Sequence, residues 1–264
     1  MMLEALIFDV DGTVAETEDL HRRAFNLAFS RHGVDLAWDA REYGRLLRVP
    51  GGKERIARSL AEHEMPRPLA EIAAIHATKT GIYAEMLAAE GAPWRPGVLR
   101  LMRDARRVGL RLAIATTTTE ANLDPLFEPE LGRGWRLYFA AIVAGDAVPR
   151  KKPAPDIYLE VMKRLGRTAA QCVAIEDSAA GVQSARAAGC AVVSTRSRWL
   201  PDDDLDAADL RLEHLGDVGA LWEREHPLLR TRWLSAKGLM LWHERVIDAA
   251  HAPARPYTKR WELA

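Results

Sequence analysis

The sequence predicts an α/β protein: a Rossmann-like parallel sheet core that carries an inserted all-helical cap. Three observations predict it. From about Pro93 to Leu212, short apolar runs alternate with stretches of helical periodicity, the pattern of parallel strands covered by helices. One more apolar run, Leu6-Ile7-Phe8, stands alone near the N-terminus and ends in Asp9-Val10-Asp11-Gly12-Thr13. Between the two, residues 14–92 show helical spacing and no convincing buried strand, so they read as an insertion after the first strand. The expected organisation is a core of residues 1–13 and 93–225, a helical cap of residues 14–92, and a C-terminal helical extension of residues 226–264.

In chain order, residues 3–9 form the first strand. Thr17 is placed to cap a helix running through His21, Phe25 and Phe29 to Gly33, with Glu18 and Asp19 in the first turn, where the helix dipole favours acids. Residues 39–47, 53–64 and 69–90 carry apolar residues at helical spacing, and Val49-Pro50-Gly51-Gly52-Lys53 breaks the first two apart. After Pro93 and Pro96-Gly97, a helix is expected over 98–108, a strand over 110–116, a helix over 120–131 and a strand over 139–144. A helix over 156–165 stands behind Pro153 and Pro155. It is followed by strand 172–176, helix 179–188, strand 190–194 and a short strand 209–212. Past Trp222 the alternation stops. Leu239, Trp242, Val246 and Ala250 then recur at helical spacing, and Pro253 and Pro256 end the pattern; a helix packed back on the core is the reading.

Composition bounds the function. The chain has 264 residues, enough for one large domain with an insert, and 48% hydrophobic residues, enough for a sizeable core. Lys+Arg and Asp+Glu both number 37, so nothing global points to nucleic acid or an anionic membrane. Met1-Met2-Leu3-Glu4 does not open a signal peptide, and no apolar run approaches a membrane span, so a cytoplasmic protein is expected. Cys172 and Cys190 lie in apolar strand-like runs and read as buried, reduced, inert thiols. The eight tryptophans are scattered and read as packing residues; Arg103, Arg106 and Arg107 read as a solvated helix face.

The chemistry gathers where predicted strands end, because open parallel sheets bind ligands at the carboxyl ends of their strands. Asp9 and Asp11 stand two apart and can aim at one point, with Gly12 turning the chain sharply after them. Thr116-Thr117-Thr118-Thr119, with Asn122 following, offers hydroxyls and backbone amides to phosphate oxygens, although threonines also cap helices. Arg150-Lys151-Lys152-Pro153-Ala154-Pro155 is a rigid turn able to hold Lys152 over the site, although such a run is more often a solvated loop. Ile175-Glu176-Asp177-Ser178 adds two carboxylates, which with Asp9 and Asp11 make an all-oxygen set suited to Mg²⁺; Asp177 or Ser178 can also cap the next helix.

These four stretches, in this order, resemble the haloacid dehalogenase-like superfamily over residues 3–222. The resemblance implies Asp9 as nucleophile, Asp11 as general acid and base, and Thr116 and Lys152 as ligands of the transferring phosphoryl group. It implies Mg²⁺ held by Asp9, Asp177 and the backbone carbonyl of Asp11, with Glu176 as a further member. An insert directly after the first motif is shared with β-phosphoglucomutase-like members, which keep cap-side polar residues where Thr17, His21, Lys53, Lys79 and Tyr83 fall. Residues 15–25 and Gly51-Gly52-Lys53-Glu54-Arg55-Ile56 look like the CbbY-type phosphatases, which remove phosphate from pentulose bisphosphates, notably xylulose-1,5-bisphosphate. Gly52, Lys53 and Lys79 are expected at the second phosphate, and Glu18 at a sugar hydroxyl or in cap closure. His21 is expected as a hinge or acid/base helper, and Thr117 and Asn122 beside the substrate. The implied partner is a small sugar phosphate, bound by a monomer or weak dimer, with no nucleic acid or membrane involved. The alternatives are a phosphomutase on the same scaffold and an inactive phosphosugar-binding regulator, the latter weakened by the presence of Asp9, Asp11 and Lys152.

Overall fold

The computed structural model describes residues 2–49, 51–227 and 229–251. Six strands pair in parallel: β1 (Ala5–Phe8), β2 (Arg111–Thr116), β3 (Phe139–Ala144), β4 (Cys172–Glu176), β5 (Ala191–Thr195) and β6 (Leu210–Leu212). Their order across the sheet is β3-β2-β1-β4-β5-β6. The strand read first in sequence is therefore central. Phe8 lies opposite Ile114 of β2 and Ile175 of β4, so the residues after Phe8 emerge between two neighbouring strand ends.

Alternation along the strands makes two cores. Leu6, Phe8, Leu112, Ile114, Val173, Ile175 and Val193 point to one side, where α5 (Val98–Arg107) and α6 (Leu123–Leu131) contribute Leu101, Met102, Leu126 and Phe127. Ala5, Ile7, Ala113, Ala115, Ala174 and Val192 point to the other, under α7 (Asp156–Leu165) and α8 (Ala179–Ala187). The small alanines on that face let the two helices sit close to the sheet.

Residues 18–90 contain four helices and, among the described residues, no strand: α1 (Glu18–Arg31), α2 (Ala40–Leu46), α3 (Gly52–Glu62) and α4 (Leu69–Glu90). An aromatic knot holds them. Trp38 packs against Phe25 and Phe29 at ring distances of 4.8 and 4.9 Å, and its indole N–H donates to Ser59 Oγ at 2.7 Å. Arg22 and Asn26 both donate to the Trp38 carbonyl, which fastens the loop before α2 onto α1.

Some expectations need correction. Thr17 does not cap α1 with its side chain: its backbone is helical (φ −97°, ψ −13°) rather than extended as a cap requires, and its hydroxyl is turned to donate to Asp11 Oδ1 at 2.6 Å. The helix expected over 120–131 is a 3-10 turn, Glu120–Asn122, followed by α6. Pro125 has no N–H to return to residue 121, so the α-helical ladder starts afresh there. The first strand is shorter than residues 3–9: its pairing runs from Ala5 to Phe8, opposite Ile114 and Ile175.

The C-terminal segment folds back through α9 (Ala236–His251), which packs beside α5 and adds Leu239 and Trp242 to the larger core. The Arg100 guanidinium fastens the chain leading to it, donating to the carbonyls of Leu215, Gly216 and Leu234 at 3.2, 2.6 and 3.0 Å. The side chain of Ala250, and Pro253 and Pro256, lie outside the described residues. Cys172 and Cys190 are free and buried, and burial pushes the Cys172 thiol up to about 12. No helix among the described residues is long and apolar enough to cross a membrane.

One residue of α9 is a liability. His243 is 0% exposed, and neither ring nitrogen has a hydrogen-bond partner among the described residues. A polar group buried in that way costs about 1–3 kcal/mol. His243→Leu is therefore expected to raise the Tm by a few degrees. Burial also lowers the His243 pKa below its ordinary 6.5, so the unfolded chain binds a proton that the folded chain refuses. Wild-type stability falls as pH drops through about 6.5, and the advantage of the leucine variant should widen there. Thermal melts of both proteins from pH 8 to 5 check the sign; a narrowing gap would refute it.

Candidate active site

The carboxyl ends of β1, β2 and β4, with the turn after β3, converge on one place. Asp9 follows β1 and is buried; its backbone N–H donates to the Ile175 carbonyl at 3.0 Å, which fixes it against β4. Lys152 reaches in from the turn before α7. Its ammonium donates to Asp9 Oδ1 at 2.6 Å, to the Ala115 carbonyl at 2.9 Å and to Glu176 Oε1 at 2.6 Å. Thr116 ends β2, buried, with its hydroxyl oxygen accepting from the Thr118 N–H at 3.2 Å. Asp177 follows β4 and accepts from Thr13 Oγ1 at 3.2 Å. Gly12, at φ +78°, must be glycine twice over: a Cβ there would sit 2.1 Å from Asp177 Oδ2.

The cations and carboxylates tune one another. Asp9 and Glu176 raise the Lys152 pKa against the opposing effect of burial, so the ammonium stays charged. Burial pushes Asp9 up to about 8, with Lys152 opposing and Glu176 adding to the rise. Asp177 is driven well above the carboxylate range by burial, Asp9 and Glu176. Three buried carboxylates that offer oxygens within 4.8 Å of one another, Asp9, Glu176 and Asp177, therefore fit a hard cation, which would offset the repulsion that Lys152 leaves uncompensated. Glu176 Oε2 is buried without a hydrogen-bond partner among the described residues, in keeping with such a site.

Asp11 faces the other way. Burial opposes its charge, but His21, Thr17 and Lys79 outweigh that and hold its carboxyl below the usual range. Lys79, 5% exposed, donates to His21 Nδ1 at 2.6 Å, so Nε2 carries the ring proton and donates to Asp11 Oδ1 at 3.2 Å. His21 stacks on Tyr83 with ring centroids 3.9 Å apart, and burial lowers Lys79 to about 7. Helices α1 and α4 thus join β1 through a Lys79–His21–Asp11 chain.

A cavity of about 650 Å³ lies between the strand ends and the four helices. Asp9, Asp11, Thr116, Thr117, Asn122, Lys152 and Asp177 line it from the sheet side; Glu18, His21, Gly52, Lys53 and Lys79 line it from the helices. Glu176, Thr17 and Tyr83 of the sequence candidates do not line it; Glu176 is 0% exposed, held by Lys152. Glu18 accepts from the Tyr43 hydroxyl at 2.6 Å, and Lys53, 47% exposed, stands 3.8 Å from Asp146. The Asn122 amide reaches Thr118 Oγ1 at 3.4 Å.

Sequence reasoning missed several neighbours. Arg95 is buried and donates to the carbonyls of Gly12, Arg196 and Glu213, clamping the acidic turn of β1 to two distant loops. Tyr158 donates to Glu176 Oε1 at 2.5 Å. Arg55 lines the cavity, held over the Tyr43 ring at 5.5 Å. Arg95 carries no local signal, since its partners, the Glu16 carboxylate at 3.5 Å and three backbone carbonyls, are all remote in sequence; Tyr158 reads as one apolar position of α7.

The family model described as haloacid dehalogenase-like hydrolase matches residues 3–189. The plasmid protein CbbY of Cupriavidus necator is 48% identical over 253 residues, covering 94% of this chain and all of that one. The crystal structure of CbbY from Rhodobacter sphaeroides in complex with phosphate is 43% identical, covers 83% of this chain and 97% of that one, and superposes with a TM-score of 0.77. A mutant of that protein in complex with xylulose-(1,5)bisphosphate gives a TM-score of 0.76 at the same identity, covering 83% of this chain and 98% of that one.

Proposed function

Because this chain belongs to the haloacid dehalogenase-like hydrolases, we propose that it is a Mg²⁺-dependent phosphatase of sugar bisphosphates, with xylulose-1,5-bisphosphate as substrate. The observation that carries this reading is the Lys152–Asp9 contact at 2.6 Å on the floor of the shared cavity: a buried carboxylate and a buried ammonium meet where the phosphoryl group must sit. The bound substrate of the Rhodobacter sphaeroides protein supports the sugar. Residues 14–92 act in this reading as a cap over the site.

Asp9 attacks phosphorus in line and the sugar oxygen departs, leaving an aspartyl phosphate. Lys152 and the Thr116 hydroxyl hold the phosphoryl oxygens, whose charge would otherwise repel the incoming carboxylate. Asp11 gives a proton to the departing oxygen and takes one from the water that cleaves the aspartyl phosphate. Burial opposes the Asp11 charge, but His21, Thr17 and Lys79 outweigh it, hold the carboxyl below its usual range and so favour its base form; His21 Nε2 is the neighbouring donor at 3.2 Å. Asp9, Asp177 and the Asp11 carbonyl would hold Mg²⁺, with Glu176 behind them; bound there, it would neutralise carboxylate and phosphate charge.

Phosphate release across a panel of sugar mono- and bisphosphates tests the reading. One phosphate should appear per pentulose bisphosphate consumed; isomerisation without release would identify a mutase. Activity should vanish with chelator, return with Mg²⁺ and return poorly with Ca²⁺, whose longer and looser coordination misplaces the attacking oxygen. Full activity in metal-free enzyme would sink the metal site.

The second phosphate is assigned to Gly52 and Lys53, at the start of α3 where the dipole favours an anion, with Lys79 adding charge from the neighbouring α4. Lys53→Ala is expected to lower kcat/KM about 10- to 100-fold for the bisphosphate and to leave a small monophosphate nearly untouched. Equal losses on both would assign Lys53 to closure or folding instead.

A further inference from the structure

We propose that Tyr158 is a positioning residue that frees Lys152 for the phosphoryl group by keeping Glu176 partnered; the proposal rests on the phosphatase reading above. An ammonium has three N–H donors, and Lys152 spends all three, on Asp9, the Ala115 carbonyl and Glu176. A phosphoryl oxygen can be bound only if one of those bonds is given up or shared. Giving up Glu176 would strand a carboxylate oxygen in a residue that is 0% exposed, and such an orphan is costly.

Tyr158 removes that obstacle. Its phenol donates at 2.5 Å to Oε1, the same oxygen that Lys152 holds. When Lys152 turns towards the substrate, Oε1 keeps a donor. While Lys152 stays, the phenol takes part of the oxygen's charge and weakens the pull on the ammonium. The hydroxyl remains protonated throughout, because burial and Glu176 push its pKa well up. The ring does a second thing: its centroid lies 5.4 Å from Lys152 Nζ, close enough for a cation–π contact that keeps the ammonium over the site once Glu176 is released. Glu176 itself cannot swing aside to follow Lys152, since the start of α8 closes over it; a Cβ on Gly181 would lie 1.8 Å from Glu176 Oε2. Tyr158 projects from the first turn of α7, wedged in the core on that side of the sheet, so the donor is fixed by the same packing that fixes the sheet.

Tyr158→Phe keeps the ring, the packing and the cation–π contact and removes only the donor. Binding of inorganic phosphate, measured by calorimetry, should weaken about 10-fold or more, and kcat/KM for the bisphosphate should fall about 10- to 100-fold. Thermal melts run alongside separate this from a structural role. A variant with a lowered Tm but wild-type phosphate affinity and kcat/KM would make the hydroxyl a core hydrogen bond only and overturn the proposal. Failure of the wild-type protein to bind phosphate or release it from any sugar phosphate would overturn the phosphatase reading instead.

Discussion

Asp9→Asn is expected to abolish steady phosphate release while leaving the fold intact. Asparagine matches the shape of aspartate but is not a nucleophile, so no aspartyl phosphate can form. Removing a nucleophile from a concerted site costs roughly 10⁴-fold or more in kcat. The fold should tolerate the change for a reason visible in the site. Burial already pushes Asp9 up to about 8, so its charge is held there at a cost, and a neutral amide escapes that cost. The amide oxygen can still accept from Lys152, which keeps the Ala115 carbonyl and Glu176 as further partners. Phosphate release and a thermal melt decide the matter together. Steady turnover by a well-folded Asp9→Asn protein would falsify the nucleophile assignment.

Lys152→Met is expected to remove both activity and stability. Methionine has nearly the length of lysine and fills the same channel, so the effect reads the charge. Its loss takes the cation from the phosphoryl group, for roughly 10³-fold in kcat/KM. It also leaves Asp9 and Glu176 buried without their shared partner, and breaking a buried pair from one side costs about 3–5 kcal/mol. The pH dependence gives this a signature. Lys152 holds Asp9 down; without it, the folded-state pKa of Asp9 rises further above the value of 3.8 that it has in the unfolded chain. A carboxyl with a raised folded pKa is stabilising below its unfolded value and loses that stability as pH rises through the folded one. The deficit of the variant should thus be greatest near pH 8 and shrink towards pH 5. In the wild type, the raised Lys152 pKa contributes stability that is complete below about 10.5 and lost above it. Denaturant titrations of both proteins at pH 5 and pH 8 measure the difference; a deficit independent of pH would mean that packing, not charge, was lost.

Local pattern carried most of the architecture. The runs at 139–144, 156–165 and 172–176 were legible because strand and helix periods are set by neighbours within a few residues, and the structure places β3, α7 and β4 on them. The acidic turn was legible for the same reason: Asp9, Asp11 and Gly12 are adjacent in sequence, and their spacing dictates a shared direction. The central place of β1 was not a local matter. It follows from pairing Phe8 with Ile114 and Ile175, residues more than a hundred positions away, and nothing in a short window ranks one parallel partner over another. Thr17 shows the same limit within one turn. Its type and position suit a helix cap, but its backbone takes helical angles and its hydroxyl meets Asp11 Oδ1 at 2.6 Å instead.

The sequence by itself determined which chemical groups the site could contain, since the carboxylates, threonines and lysine stand at strand ends that periodicity locates. Tertiary structure alone decided how those groups share protons and charge. Lys152 spends its three donors on residues at the ends of three strands, Tyr158 hides a hydrogen-bond donor in an apolar stripe, Arg95 binds carbonyls from three loops, and the His243 ring has no hydrogen-bond partner among the described residues. The physical reason is range: helix and strand propensities act over a few residues, whereas a hydrogen bond or a buried charge is settled by whatever remote atom the fold brings within about 3 Å.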